Sequence, residues 1–490
     1  MNNEIDGWYE AYKAKDKRFD GKFFVGIKST NIYCRPICTA RLASQKNTIF
    51  FENAAQAEKS GFRPCLKCRP ELIINNNSEE YENELLKDAI SYINNNFTSS
   101  ITLDDISYNI GCSKRHLSRV FKEELNITCK DYIKTKRLLL SKQLIVDSNL
   151  RMIDIAYAVG FGSLKTFNTT FKQQYNLSPS QLRINKNIKY NDDSFMIHLN
   201  YQRPYNWEDI LSFLSSRTIE GVEKVENNKY YRSVVVKNDN KKIFGWLEVS
   251  NNKKRAQLDI RLSSTLIEVL PFVISRLKVL FDLDAQPDII NETLIKLNDK
   301  FPSIHKEGVR IPGTFDPFEM IVRAIVGQQI SVKGARTIIG RLIKTYGYKV
   351  ETPFKDIDYA FCLASDIIAL EDNIEEHLGL LGIIKRRSNT ILALAHAYED
   401  KTINFFNPSN PEEEIKKLVE LPGIGIWTAH YIALRSMNYT DAFLHTDLGI
   451  VKVFAPLKPK EILEAVKEYA PWRGYAMINF WLYDAIKEDK

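Results

Sequence analysis

The chain has few cysteines and no long run of apolar residues. Seven cysteines among 490 residues do not suit a disulfide framework, and they favour metal binding or redox chemistry. No apolar stretch reaches membrane-spanning length and no apolar signal segment follows Met1, so we expect no membrane partner and a cytoplasmic location. Low-complexity tracts are also missing, and at this length three or four domains are expected.

The positive charge is unevenly distributed along the chain. The net charge is +7, and its basic excess lies within residues 1–190, while the remainder is close to neutral. A basic front half indicates a polyanionic partner, although the same excess is also compatible with plain solubility.

Four of the cysteines form two short pairs, C-x3-C at Cys34 and Cys38 and C-x2-C at Cys65 and Cys68. Tetrahedral zinc takes four soft ligands at about 2.3 Å, and two such pairs supply them from two loops. A purely structural zinc site is one interpretation. The other is a zinc-activated nucleophile, because only the thiolate form of cysteine is nucleophilic and zinc keeps it in that form.

The surrounding sequence resembles the N-terminal domain of Ada-type methylation-response proteins, across "GIKSTNIYCRPICTAR" and "ENAAQAEKSGFRPCLKCRPE". The resemblance implies one zinc ion held by all four cysteines. It also implies that Cys34 accepts a methyl group irreversibly from a DNA methylphosphotriester. The matching DNA contacts are Thr30, Arg41 and Arg63.

An internal repeat follows, in which Asp105–Thr128 aligns with Asp154–Ser178. Apolar residues recur at core spacing, a glycine marks each turn, and Ser113 and Ser163 can cap the helix that follows. Each copy predicts a helix-turn-helix, with a generic helical bundle as the alternative. The repeat resembles an AraC-type regulator domain across about residues 82–186. The expected DNA-reading side chains are Lys114, Arg115, His116 and Arg119 in the first copy and Lys165, Thr166 and Asn168 in the second.

The stretch "LPGIGIWTAHYIALR" predicts a helix-hairpin-helix, in which Gly423 and Gly425 allow positive φ and backbone N–H groups can hold a DNA phosphate. Asp447 follows Trp427 by 20 residues at a predicted helix start. It is interpreted either as a helix N-cap or as a catalytic carboxylate, and nearby aromatics as helix packing or as a base pocket.

Residues from about 200 to 487 resemble AlkA-type 3-methyladenine DNA glycosylases, including "RIPGTFDPFEMIVRAIVGQQISVKGA". The resemblance implies a base pocket of Trp427, Tyr431 and Trp481, with Asp447 as the catalytic carboxylate. It places Gln329 where the family inserts a leucine into the DNA stack, and His445 where a proline is usual. Trp427 occupies the position of the lysine nucleophile of bifunctional enzymes, so no lyase step is expected. The absence of cysteine after Cys362 predicts no iron–sulfur cluster.

The predicted architecture is multidomain and mainly α with α+β parts. It comprises a zinc methyl-acceptor domain (1–76), a double helix-turn-helix (80–187), a mixed α/β subdomain (195–305) and an all-α helix-hairpin-helix glycosylase domain (306–490). A polar linker near Asn185–Ser194 predicts little coupling between the halves.

The predicted function is a response to DNA alkylation by a fused Ada–AlkA chain, acting as a nucleoid-associated monomer on double-stranded DNA with RNA polymerase as a further partner. The rivals are a non-enzymatic zinc and helix-turn-helix regulator with a decayed glycosylase domain, a constitutive glycosylase whose front half only targets DNA, and a zinc redox sensor.

Overall fold

A computed structural model describes residues 2–72, 83–183, 193–238, 241–408 and 410–488. The chain divides into two compact units, Met1–Ile197 with Ile267–Phe272 and His198–Leu266 with Val273–Lys490. Most of the predicted linker near Asn185–Ser194 lies outside the described residues. No helix within the described ranges is long and apolar enough to span a membrane.

The first unit begins with helix α1 (Asn2–Ala14) and a small sheet. Its strands are β1 (Phe24–Ile27), β2 (Ile32–Cys34), β3 (Thr48–Phe51) and β4 (Arg63–Pro64), and α2 (Ala54–Lys59) lies between β3 and β4. The strand order is β3-β1-β2-β4, in which only β2 and β4 run parallel. Aromatic side chains form the core beneath this sheet, among them Phe24, Tyr33 and Phe51.

The rest of the first unit is helical. Its elements are α3 (Glu84–Asn96), α4 (Leu103–Asn109), α5 (Lys114–Leu125), α6 (Cys129–Asp147), α7 (Met152–Ala158), α8 (Leu164–Tyr175) and α9 (Pro179–Leu182). The predicted repeat is confirmed, with α4 and α5 as the first helix-turn-helix and α7 and α8 as the second. Gly111 (φ 67°) and Gly160 (φ 93°) form the two turns. At the equivalent C-cap positions of α4 and α7, Ile110 is partly buried and Val159 is fully buried.

The second helix of each helix-turn-helix, α5 or α8, begins and ends in the same way, as expected for a duplicated unit. Ser113 accepts the N–H of His116 at 3.2 Å, and Ser163 accepts that of Thr166 at 3.1 Å. Each helix ends on a left-handed asparagine, Asn126 in α5 and Asn176 in α8, a conformation that asparagine tolerates better than most residues.

A sheet in the order β5-β9-β8-β7-β6 lies mostly in the second unit. Its strands are β5 (Ser194–Asn200), β6 (Glu223–Glu226), β7 (Lys229–Asn238), β8 (Lys241–Asn252) and β9 (Gln257–Ser263). Helices α10 (Trp207–Ser215), α11 (Leu270–Leu280), α12 (Pro287–Leu294) and α13 (Leu297–Lys300) accompany it. This part matches the predicted mixed α/β character.

The helical remainder surrounds one large apolar core. It contains α14 (Pro317–Val326), α15 (Val332–Tyr346), α16 (Ala364–Ile368), α17 (Ile374–Gly379), α18 (Lys385–Glu399), α19 (Pro411–Glu420), α20 (Ile426–Arg435), α21 (Leu448–Val453), α22 (Pro459–Ala465) and α23 (Arg473–Glu488). Two short strands, β10 (Tyr348–Lys349) and β11 (Tyr359–Ala360), pair within it. Helices α19 and α20 with the turn between them form the predicted hairpin.

Candidate functional site

The four N-terminal cysteines converge at the ends of two neighbouring strands. Tyr33 of β2 pairs with Pro64 of β4 in parallel register, so the residues that follow, Cys34 and Cys65, emerge side by side. Cys38 and Cys68 return to the same point through the turns after each strand. All four sulfur atoms lie within 4.8 Å of one another, and none is in a disulfide.

This donor set suits a zinc ion. Four thiolates at about 2.3 Å from one metal lie about 3.8 Å apart, which is compatible with the observed clustering. Backbone N–H groups support the negative sulfurs: Arg35 donates to Cys68 Sγ at 3.3 Å and Lys67 to Cys65 Sγ at 3.4 Å. Cys34, Cys38 and Cys65 are buried, whereas Cys68 is partly exposed.

The side chains around the cluster include one arginine held by hydrogen bonds and others that differ in their exposure to solvent. Arg35 donates through Nε to Asp20 at 2.9 Å and through Nη1 to the Cys68 carbonyl at 3.2 Å, which holds the cysteine loop in place. The predicted DNA contacts differ in exposure, since Thr30 and Arg41 are exposed and Arg63 is partly buried. The exposed residues among the predicted DNA contacts are therefore a cation, Arg41, and a hydroxyl, Thr30.

The predicted reading helices, α5 and α8, present polar side chains to solvent. Lys114, Arg115 and Arg119 are exposed on α5, and His116 is partly buried, with Nδ1 3.0 Å from Arg119 Nη2. On α8 the exposed side chains are Lys165, Thr166 and Asn168. In each helix these residues lie in the first one and a half turns, which a helix-turn-helix inserts into the major groove.

The hairpin turn requires one of its glycines. Gly423 has φ 90°, and a Cβ on it would lie 2.2 Å from Thr390 Oγ1. The expectation of positive φ at Gly425 is wrong: its φ is −94° because it is the N-cap of α20. No side chain caps this helix start, and the N–H groups of a first helical turn lack partners within the helix, as phosphate binding needs.

The loop that carries Gln329 is tied to this hairpin. Gln328 Nε2 donates to the Gly423 carbonyl and to Thr428 Oγ1, both at 3.1 Å. Gln329 itself is exposed in a left-handed conformation (φ 55°) between α14 and α15. The candidate wedge residue and the candidate phosphate-binding turn are therefore held as one rigid feature.

The predicted pocket residues meet at Asp447. Trp427 Nε1 donates to its Oδ2 at 3.2 Å, and Trp481 Nε1 donates to its Oδ1 at 3.0 Å. Asp447 also caps α21 by accepting the Gly449 N–H at 3.1 Å. The N-cap interpretation is therefore confirmed. The same carboxylate accepts hydrogen bonds from two indole rings, and its catalytic role stays a prediction.

Tyr431 stacks on Trp427, with ring centroids 5.1 Å apart and planes inclined by 15°. Burial raises the pKa of the Tyr431 phenol, but the positive charges of Arg435, Arg217 and Arg323 bring it below its usual value. These contacts bring the rings of Trp427 and Tyr431 and the carboxylate of Asp447 to a common site.

Two residues at this site escaped sequence reasoning. Gln328 joins parts of the chain 95 residues apart, and no local pattern reports that contact. Arg435 was detectable in principle, because Trp427, Tyr431 and Arg435 are spaced i, i+4 and i+8 and share one face of α20.

Fold and site together define a multidomain DNA-binding protein with a four-cysteine zinc centre, a double helix-turn-helix and a helix-hairpin-helix glycosylase domain. Family models match in the same order: the metal-binding domain of Ada at residues 7–71, a helix-turn-helix domain at 106–185 and the AlkA N-terminal domain at 196–316.

Curated relatives cover the whole chain and its parts. A probable bifunctional transcriptional activator/DNA repair enzyme AlkA of Mycobacterium tuberculosis is 28% identical and aligns with 98% of this chain and 97% of its own length. DNA-3-methyladenine glycosylase 2 of Escherichia coli is 33% identical, across 60% of this chain and all of the relative. The bifunctional transcriptional activator/DNA repair enzyme AdaA of Bacillus subtilis is 32% identical, across 36% and 82%. The chain belongs to the Ada–AlkA family, so the predicted family and fold class are confirmed.

Proposed function

We propose that the chain is a two-part response to DNA alkylation, in which the front half senses methylphosphotriesters and activates transcription and the back half excises alkylated bases. The observation that carries this proposal is Asp447, held between the indole N–H groups of Trp427 and Trp481 beside the stacked ring of Tyr431. A decayed glycosylase domain would have no reason to keep a carboxylate and three aromatic rings in this arrangement.

The excision step follows from these side chains. N-alkylated purines such as 3-methyladenine and 7-methylguanine carry positive charge, and each favourable contact with an aromatic face is worth roughly 0.5–2 kcal/mol. The base must first leave the DNA stack, at a cost of a few kcal/mol, and Gln329 fills the gap it leaves. As the N-glycosidic bond breaks, the sugar becomes an oxocarbenium ion that the Asp447 carboxylate stabilises.

The two indole hydrogen bonds prepare Asp447 for this role. They fix the orientation of the carboxylate before positive charge develops on the sugar. Trp427 cannot form a Schiff base, so the reaction ends with hydrolysis, as in a monofunctional glycosylase.

The sensing step is a methyl transfer to Cys34. When bound, zinc keeps the four thiols as thiolates at neutral pH. The Cys34 sulfur attacks the methyl carbon, the carbon–oxygen bond of the phosphotriester breaks, and the phosphate leaves as a diester anion. Cys34 then holds a neutral thioether, so the cluster repels the DNA backbone less and binding tightens.

The contacts of the sulfur atoms support Cys34 as the acceptor. N–H groups donate to Cys65 and Cys68 and draw electron density from those sulfurs. Among the described residues, no hydrogen bond of this kind reaches Cys34. Cys68 is the most accessible of the four and is the competing acceptor.

The finer assignments complete the proposal. The matched ranges 7–71, 106–185 and 196–316 support domains at 1–76, 80–187, 195–305 and 306–490. We assign one zinc per chain and no iron–sulfur cluster. DNA is the partner of both halves, and we extend the proposal to RNA polymerase as the partner of the activated front half, to a monomer and to a cytoplasmic location at the nucleoid.

Asp447→Asn tests the excision. Single-turnover release of 7-methylguanine from a short duplex should fall by about 100- to 1,000-fold, because a neutral amide cannot stabilise the sugar cation, while duplex binding persists. An unchanged rate would support the non-enzymatic regulator.

Methyl mapping tests the sensor. Zinc-loaded protein is incubated with DNA that bears methylphosphotriesters but undamaged bases, and peptides are then weighed by mass spectrometry. One methyl group on Cys34, absent with unmodified phosphates, is the expected result. Methyl on Cys68 would reassign the acceptor, and no transfer with zinc retained would make the site structural.

A further inference from the structure

Arg435 lies against the base pocket and is held by neutral acceptors. It is the last residue of α20 and is 6% exposed. Its Nη1 donates to the Tyr431 hydroxyl at 2.9 Å, its Nη2 donates to the Gly313 carbonyl at 3.0 Å, and its Nε donates to the Pro312 carbonyl. The guanidinium is thereby fixed in position and orientation.

The positive charge of Arg435 has no carboxylate partner in the part of the chain that the structure describes. Two other arginines of the same unit are paired with carboxylates: Arg232 with Glu319, and Arg323 with Glu223 at 2.9 Å and Glu319 at 2.7 Å. Arg310 is buried and, like Arg435, is held by carbonyl oxygens, those of Gln202 and Pro204. The guanidinium carbon of Arg435 lies 4.7 Å from the Phe213 ring centroid and 5.7 Å from that of Tyr431. Burial, and after it the nearby positive charges of Arg217 and Arg323, lower the pKa of Arg435. A buried cation without a counter-ion is costly, so its place beside the pocket calls for a function.

This charge lies next to a residue of the proposed base pocket, Tyr431. Tyr431 separates Arg435 from Trp427, and Trp427 bonds directly to Asp447. Asp447 faces the sugar in the proposed reaction, whereas Arg435 lies behind the aromatic ring that contacts the base. The pocket thus has a negative side for the sugar and a positive side for the base.

We propose that Arg435 is a positioning residue that assists departure of the base by stabilising the electron pair that the base receives; this inference rests on the proposed glycosylase function. When the N-glycosidic bond breaks, both of its electrons pass to the base, and water supplies the hydroxyl group to the sugar and a proton to solvent or to the base. An alkylated cationic base leaves neutral. A neutral purine leaves with a negative charge, so it gains more from a fixed cation nearby.

Two opposing effects make this role measurable. The guanidinium weakens binding of a cationic base and assists its departure. For that substrate, the effects of removing the charge on binding and on departure therefore nearly cancel. For a neutral purine, binding gains little from removal and departure loses its stabilisation. The charge on Arg435 therefore sets the ratio of the release rate of a neutral purine to that of a cationic base.

The test compares single-turnover release of 7-methylguanine (cationic) and hypoxanthine (neutral) from otherwise identical duplexes, using the full-length protein. In Arg435→Met, hypoxanthine release should fall by about 10- to 100-fold, equivalent to about 1.4–2.7 kcal/mol, and 7-methylguanine release by less than about threefold. Arg435→Lys keeps the charge and should recover most of the hypoxanthine rate. Arg310→Met, which removes another buried guanidinium held by backbone carbonyls, serves as the matched control and should leave the ratio unchanged.

The outcomes separate this inference from the function on which it rests. Equal losses on both substrates in Arg435→Met, without recovery in Arg435→Lys, would reduce Arg435 to a structural group. A wild-type protein that releases 7-methylguanine but no hypoxanthine would overturn the inference alone. Failure of the wild-type protein to release 7-methylguanine would overturn the proposed glycosylase itself.

Discussion

The indole N–H of Trp481 donates to the Asp447 carboxylate at 3.0 Å across 34 residues of sequence. With Trp427 on the other oxygen, this bond holds the carboxylate in one orientation. Helix α23, which carries Trp481, is therefore part of the proposed catalytic arrangement and not only of the core.

Trp481→Phe removes this N–H while keeping an aromatic ring. We expect single-turnover excision of 7-methylguanine to fall about tenfold, since one hydrogen bond to a charged group is worth about 1.5 kcal/mol. Trp472→Phe is the matched control in the same region, because Trp472 contacts Tyr475 at 6.0 Å and not the carboxylate. Equal rates for the two variants would show that the N–H is dispensable.

Gln329→Gly separates stability from activity. Relief of the left-handed backbone at Gln329 (φ 55°) should stabilise the second unit by about 1 kcal/mol. Loss of the wedge side chain should slow excision from duplex by about tenfold and excision opposite a mismatch by less. Asn438→Gly, at another exposed positive-φ position, should leave excision unchanged. A fully active Gln329→Gly would remove the wedge assignment.

Glu58 should make the free energy of unfolding of the first unit depend on pH. It accepts hydrogen bonds from Tyr33 at 3.2 Å and from Thr135 and Tyr175, both at 3.0 Å. Burial raises the pKa of its carboxyl from 4.5 to about 7. The folded state thus favours the protonated form, so its stabilisation is complete below pH 4.5 and is lost as the pH rises through 7.

Glu58→Gln tests this effect, because the amide keeps an acceptor and cannot ionise. Between pH 6 and pH 8 the wild-type unit should lose about 1 kcal/mol that the variant does not lose. Hydrogen exchange of peptides from α6, corrected for the intrinsic pH dependence, measures the difference. Glu124→Gln, on the exposed end of α5, is the control, and a parallel slope in Glu58→Gln would contradict the raised pKa.

Zinc removal should unfold the N-terminal sheet and spare the glycosylase. Cys38→Ser, or chelation, should abolish protection from hydrogen exchange in β2 and β4, because the cysteine cluster joins their ends. Turnover on short duplexes should stay within about twofold, since the halves are expected to act independently. Cys112→Ser removes a cysteine outside the cluster and should retain one zinc. Loss of glycosylase turnover when zinc is removed would show that the two halves are coupled.

Much of the site was predictable because its signals are local. The cysteine spacing, the serine caps of α5 and α8 and the glycine of the hairpin each depend on a few neighbouring residues. Gly425 shows the limit of such signals, since two glycines separated by a single residue adopt different backbone conformations. Gly423 has positive φ beside Thr390, whereas Gly425 has φ −94° as the N-cap of α20.

The sequence by itself determined the ligand set, the repeated DNA-binding unit and the family, because spacing, capping and motif identity lie in contiguous residues. Only the tertiary structure decided which groups meet: Trp481 at Asp447, Gln328 at the hairpin, and Arg435 without a carboxylate beside Tyr431. Those relationships depend on burial and on contacts between distant segments, and the packing of helices around a common core, not the local chain, sets both.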